Sequence, residues 1–196
     1  VQIQIVKIQE DYKNIKPEDI KIIDPAMGSG HILVYAFDVL MQIYTSVGYS
    51  ERDAAVSILK NNIYGLDIDN RAYQLAYFAV MMKGRSYYRG ILSKRIDPQI
   101  CSIQESNEIS EDLIDFVAEG NPNIINNLRY LAEIFTNAKE YGSVINVETK
   151  EFNFIMDKIN EIRNTSFNDF KSIEFKNLAI NNLYLILKQA IILSST

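Results

Sequence analysis

The stretch Asp24-Pro25-Ala26-Met27-Gly28-Ser29-Gly30 constrains this chain most, because it stands between an apolar run and a helical one. Residues 21–24, Lys-Ile-Ile-Asp, read as a short buried strand. Residues 32–47 place Leu33, Ala36, Phe37, Leu40 and Met41 at helical spacing, and Gly48 follows where a helix C-terminus wants a glycine. Two glycines in the turn let the backbone bend sharply and approach a ligand with no Cβ in the way. The helix beyond offers unpaired N–H groups and the positive end of its dipole. Strand, glycine turn and helix together open a βαβ unit, which implies a parallel sheet.

The alternation continues downstream. Ser50 and Asp53 have capping-box spacing at the start of a helix over 50–60. Residues 63–68, Ile-Tyr-Gly-Leu-Asp-Ile, form a second strand. Asn70 caps a helix to about Lys83 that is apolar at Leu75, Ala76, Ala79, Val80 and Met82. Residues 98–103 are a third strand. Beyond them the 3.6-residue period recurs over 111–118, 122–137, 148–162 and 176–193 with no strand between, so these helices cover the sheet or form an insertion. Residues 1–14 read as a short helix ended by Pro17. The expected fold class is α/β: a partial parallel sheet within residues 1–107, then a helical C-terminal segment over 108–196, in the same domain or as an insertion. Three strands make an unfinished doubly wound sheet, and the chain lacks an initiator Met, so it reads as part of a larger protein.

Composition narrows the function classes. With 196 residues, 47% of them hydrophobic, the chain can bury a core. A formal net charge of −5 gives no overall basic stripe of the kind a dedicated nucleic-acid-binding domain carries. Cys101 is the single cysteine and His31 the single histidine, which excludes an internal disulfide and a Cys/His zinc site. No apolar run reaches the ~18–20 residues of a membrane span, and no secretory signal opens the chain, so a cytoplasmic location is expected. His31 reads as a helix-start residue, Cys101 as a small buried apolar one, and the Tyr and Met residues of 73–82 as core packing. Tyr87-Tyr88-Arg89, with Lys83, Arg85, Lys94 and Arg95, reads as a solvated basic loop.

The glycine turn admits three ligand chemistries. A P-loop needs Gly-Lys-Ser/Thr, and Ser29-Gly30-His31 has no lysine. A nicotinamide site wants a third glycine where Leu33 stands. A methionine-derived zwitterion needs a carboxylate for its ammonium group, which Asp24 can supply, and backbone donors for its own carboxylate, which the loop can supply. Asp67, at the end of the second strand, can accept both hydroxyls of a ribose, and Ile68 is placed to lie on an adenine face. The helix over 50–60 explains why Asp24 and Asp67 stand farther apart than the simplest turn-to-acid spacing of about 20 residues.

Asp-Pro-Ala-Met-Gly-Ser-Gly-His over 24–31, followed by Tyr-Gly-Leu-Asp-Ile-Asp over 64–69, resembles motifs I and II of the amino-group DNA methyltransferases. The resemblance is nearest to the large PglX-type adenine methyltransferases of BREX phage-defence systems. It extends through Ile32-Leu33-Val34-Tyr35-Ala36-Phe37-Asp38 and, as a motif III region, through residues 102–107. It implies a Rossmann-like class I methyltransferase core that binds S-adenosylmethionine and methylates the N6 amine of adenine in DNA, with defence proteins as possible partners and no metal. By the same resemblance Asp24, Pro25, Ala26, Met27, Gly28, Ser29 and Gly30 hold the methionine part. Asp67 holds the ribose, Ile68 flanks the adenine, and Glu105 or its neighbour Gln104 sits near the adenine amino group. The family flips its target base and holds it with an Asn/Asp-Pro-Pro-aromatic motif. That motif is absent from these 196 residues. Asn121-Pro122 is only a near match and reads as a helix start. No catalytic residue is therefore assigned, and this stretch alone is expected to bind cofactor weakly and to methylate nothing. The alternatives are a methyltransferase acting on RNA or on a protein glutamine, and a non-catalytic cofactor-binding scaffold.

Overall fold

A computed structural model describes residues 15–142, 145–148 and 152–194. The expected helix over 1–14 lies outside them. The described chain begins with a 3-10 turn, Pro17–Asp19, and then alternates strand and helix: β1 (Ile22–Asp24), α1 (His31–Ser46), α2 (Glu51–Asn61), β2 (Ile63–Asp67), α3 (Asn70–Tyr87) and, after a second 3-10 turn at Ile91–Lys94, β3 (Gln99–Ser102). Helices follow without another strand among the described residues: α4 (Glu111–Ala118), α5 (Pro122–Ile134), α6 (Ala138–Tyr141), α7 (Asn153–Asn164), α8 (Phe170–Leu178) and α9 (Tyr184–Ser194), with a π-helical turn at Ala179–Leu183 joining the last two. The sheet order is β1-β2-β3, and β1 runs parallel to β2 with Asp24 opposite Gly65. The expected α/β alternation and helical C-terminal segment are thus both present. Helix α7 begins later than the period suggested. Asn70 is the first residue of α3, and its side chain accepts a hydrogen bond from the Ser102 hydroxyl at 3.3 Å.

The chain divides into two compact units, and the cut falls within the sheet strands: residues 1–65 with 71–100, and residues 66–70 with 101–196. In the first unit α1 and α2 are stopped and started by local chemistry. Gly48 takes φ 93°; its N–H donates to the Thr45 carbonyl and that of Tyr49 to the Tyr44 carbonyl, both at 3.1 Å, which closes a Schellman turn. The Tyr44 and Tyr49 rings meet edge to face across it. Ser50 then caps α2, accepting the Asp53 N–H at 3.1 Å. Leu33, Phe37, Leu40, Ile58, Leu59, Ile63 and Val80 are fully buried in this unit's core, each contributing about 1.5–3 kcal/mol for its burial. Asn62 is buried among them without penalty. Its Nδ2 donates to the Pro17 and Ile20 carbonyls at 2.6 and 2.8 Å, and its Oδ1 accepts from the Tyr44 hydroxyl at 2.9 Å.

Core packing holds for Tyr73, Tyr77 and Met81 within 73–82 and fails at Met82. Ala76, Val80 and Met81 form the buried stripe of α3, while Leu75, Phe78 and Met82 are exposed. A helix lying on a sheet buries one face only, and the apolar residues of α3 outnumber the places on that face. The basic stretch is partly structural. Lys83 pairs with Asp38 of α1 at 2.6 Å, and the Tyr87 hydroxyl donates to the same carboxylate at 2.6 Å. These two hydrogen bonds hold the Asp38 carboxyl below its usual range. The Asp38 acceptor, helped by burial, pushes the Tyr87 hydroxyl up to about 12. A raised folded value means that the Tyr87 contribution is complete below the unfolded tyrosine pKa near 10 and is lost as pH rises through the folded one. Melting temperatures of the wild type and Tyr87→Phe should therefore differ at about pH 9 and converge by about pH 12. A gap that ignores pH would mean that this hydrogen bond does not stabilise the helix pair.

The second unit has a core of its own, built from Leu113, Val117, Leu128, Leu131, Phe135, Phe152, Ile155, Ile159, Leu183 and Ile186 among others. Asn121 caps α5 through its side-chain oxygen, which accepts the Asn123 and Ile124 N–H groups at 3.0 and 3.4 Å, with Pro122 in the first turn. This is the helix start read from the sequence. Cys101 is buried, as expected. Helix α9 is buried nearly all round, even at Lys188 and Gln189. No helix among the described residues is long and apolar enough to cross a membrane.

Candidate functional site

In the first unit the turn after β1 is shaped by its own acid. Asp24 is 7% exposed, and its Oδ1 accepts the Ala26 N–H at 3.2 Å. Pro25, Ala26 and Ser29 are exposed. Met27 points inward: a Cβ added to Gly65 of β2 would lie 2.6 Å from its sulfur. The missing side chain of Gly65 is what lets Met27 pack over the strand, so Met27 can offer a ligand only its backbone. The Gly30 N–H donates to the Met27 carbonyl at 2.8 Å and closes the turn.

The two glycines of the turn have different reasons. Both take positive φ, 53° at Gly28 and 81° at Gly30. A Cβ at Gly28 would meet nothing within 4 Å, so the space beside its Cα is clear. A Cβ at Gly30 would lie 3.0 Å from both Cα and Cβ of Ala76 in α3, so that glycine serves close helix packing. Gly30 is also the N-cap of α1 and has no side chain to offer that helix's first-turn amides. His31 opens α1 on the surface.

The second unit brings together the remaining sequence-selected residues. The Asp67 Oδ1 accepts the Asp69 N–H at 2.8 Å, turning the chain after β2, and the Asp67 carbonyl accepts the Ile103 N–H at 2.8 Å. The exits of β2 and β3 are thereby held side by side. Ile68 is 54% exposed, an apolar surface with Gly142 close behind it. Gln104 is engaged in several directions. Its N–H donates to the Gln189 Oε1 at 2.7 Å and its carbonyl accepts from the Gln189 Nε2 at 2.9 Å. Its own Nε2 donates to the Ser102 hydroxyl at 2.7 Å, which donates onward to Asn70. Glu105 is half-buried and, with Gln104, Asn107, Glu108, Lys139 and Asn182, lines a polar groove.

An acid at a strand exit, an exposed apolar side chain beside it and a second acid on the neighbouring strand exit are groups that a nucleoside could use. Sequence reasoning missed Gln189, Ser102 and Asn70. The signal was present in Lys188-Gln189, two polar residues inside the otherwise apolar run of α9. Among the described residues no group of three acidic, histidine or cysteine side chains is arranged to hold a metal ion.

A family model described as MmeI, DNA-methyltransferase domain, matches residues 7–112. The chain is 43% identical over 149 residues, 75% of its length, to the adenine-specific methyltransferase PglX of Lacticaseibacillus casei (strain Zhang). It is 50% identical over 106 residues, 54% of its length, to the adenine-specific methyltransferase BrxX of Escherichia coli O9:H4 (strain HS). The matched stretches are 12% and 9% of those two relatives, so the chain spans only about a tenth of their length.

Proposed function

Because the chain belongs to the MmeI DNA-methyltransferase domain family, we propose that it contributes the S-adenosylmethionine-binding part of an adenine-specific DNA methyltransferase of restriction-modification or phage-defence type. The reaction would be methyl transfer to the N6 amine of adenine in DNA. The observation that carries the reading is the turn after β1: the buried acid Asp24 at the strand end, then two glycines at positive φ leading into the N-terminus of the following helix, with room beside Gly28 where a Cβ would stand. The strand order supports it, since β3-β2-β1 is the order of one half of a doubly wound nucleotide-binding sheet. Residues 1–107 would supply this Rossmann-like part.

The residues fit the methyl donor. Asp24 and the backbone of Ala26 to Gly30 would hold its methionine portion, Asp67 the ribose, and Ile68 the adenine face. Of the two motif III candidates, Glu105 suits the adenine amino group better, because the Gln104 side chain is turned back onto Ser102. The bound donor supplies an electrophilic sulfonium methyl. The chain's part is to fix the donor's position and direction, which is a proximity effect.

The test uses the full-length polypeptide with methyl-labelled S-adenosylmethionine and duplex DNA, followed by nucleoside analysis. Label in N6-methyladenine is expected. Label found only in RNA or in protein glutamine would replace the acceptor. Cofactor binding with no transfer to any of these would make the domain a scaffold.

A further inference from the structure

Glu105 is a single residue held between two anchors. On one side the buried Gln189 grips Gln104 with one donor and one acceptor, at 2.9 and 2.7 Å. On the other side the Ser106 N–H donates to the Phe135 carbonyl at 3.0 Å, and its hydroxyl donates to the Ala132 carbonyl at the end of α5. A side-chain amide carries its donor and acceptor in one plane, so Gln189 restrains both peptide planes of Gln104 at once. Gln189 is 0% exposed, so water does not compete for these bonds. A buried amide in an apolar helix is costly unless both ends are satisfied, and leucine would fill the same space without that demand. What glutamine adds is direction. The π-turn at Ala179–Leu183 contributes to this: one extra residue in a turn rotates the following helix by about 100°, which sets the face on which Gln189 falls. The hydrogen bonds from Gln104 to Ser102 and from Ser102 to Asn70 extend the same restraint to the start of α3, two residues after Ile68.

We propose that Gln189 and Gln104 are positioning residues that aim the Glu105 carboxylate at the 6-amino group of a bound adenine. The proposal rests on the cofactor reading above. Glu105 touches the ligand; Gln104 and Gln189 act through it. Together they set the preference for adenine over a purine that lacks the amino group.

The experiment measures binding of S-adenosylhomocysteine and of its 6-desamino analogue to the full-length polypeptide, by calorimetry. The proteins are wild type, Gln189→Met, Gln104→Ala and Asp67→Ala. The wild type should prefer S-adenosylhomocysteine. Gln189→Met should weaken that ligand about tenfold, the worth of one well-aimed hydrogen bond, and leave the analogue within about twofold. Asp67→Ala should weaken both alike, because both carry the ribose. Gln104 is only partly buried, so Gln104→Ala should fold even if Gln189→Met does not; it keeps the main-chain grip of Gln189 and removes the side-chain bonds to Ser102, so it should show a smaller loss, about threefold, confined to S-adenosylhomocysteine. An equal loss of both ligands in the Gln variants, or no loss, overturns the positioning role while leaving the cofactor site standing. Failure of the wild type to bind either ligand overturns both.

Discussion

Asp67→Ala is expected to abolish measurable binding of S-adenosylhomocysteine in the full-length polypeptide. A carboxylate that accepts two hydroxyls forms two charge-assisted hydrogen bonds, each worth about 1.5–3 kcal/mol. Losing both costs about 3–6 kcal/mol, roughly 150- to 25,000-fold in affinity. The substitution also removes the acceptor for the Asp69 N–H, so Asp67→Asn is the informative companion. Asparagine keeps an oxygen for that turn but replaces the second acceptor with a donor. It should fold like the wild type and still lose about tenfold or more of the affinity. Calorimetry on the three proteins separates the outcomes. Full affinity in Asp67→Ala would remove the ribose role and, with it, the placement of the cofactor at the β2 exit.

The second large effect falls on stability. Gly30→Ala should destabilise the fold by about 2–4 kcal/mol. About 1–2 kcal/mol comes from forcing an L side chain into left-handed φ, and the rest from overpacking a Cβ that lands 3.0 Å from the Ala76 Cα and Cβ. Backbone atoms of a packed helix cannot step aside as the end of a flexible side chain can. The melting temperature should fall by about 5–15 °C for a chain of this size. Gly28→Ala makes the control, since its φ is also positive but its surroundings are open. It should cost only the conformational part, about 1–2 kcal/mol, while obstructing ligand approach. Equal melting temperatures for the two variants would show that the α1–α3 contact does not depend on that glycine.

Much of the fold was legible because it is written in local chemistry. The turn from Asp24 to Gly30, the stop at Gly48, the cap at Ser50 and the helix start at Asn121-Pro122 each depend on residues within a few positions of one another. Such features follow from sterics and short-range hydrogen bonds, so they survive from sequence to structure unchanged. The family is legible for the same reason, since its motifs are contiguous. The outward Leu75, Phe78 and Met82 were not legible, because helical periodicity gives the stripes of a helix but not which of them meets the sheet. The inward turn of Met27 was hidden too, since it depends on the absence of a side chain at Gly65, on another strand.

The sequence by itself determined the strand–turn–helix order, the acids at the strand exits and the methyltransferase family. Tertiary structure alone decided how two neighbouring polar side chains are engaged. Gln104 and Glu105 are both polar and adjacent, and no local rule ranks them. The difference comes from packing: the Gln104 side chain is turned onto Ser102, and Gln189, 85 residues away along the chain, holds the Gln104 backbone. A contact of that range is created by packing α9 into its own unit's core, and packing is what a linear pattern does not encode.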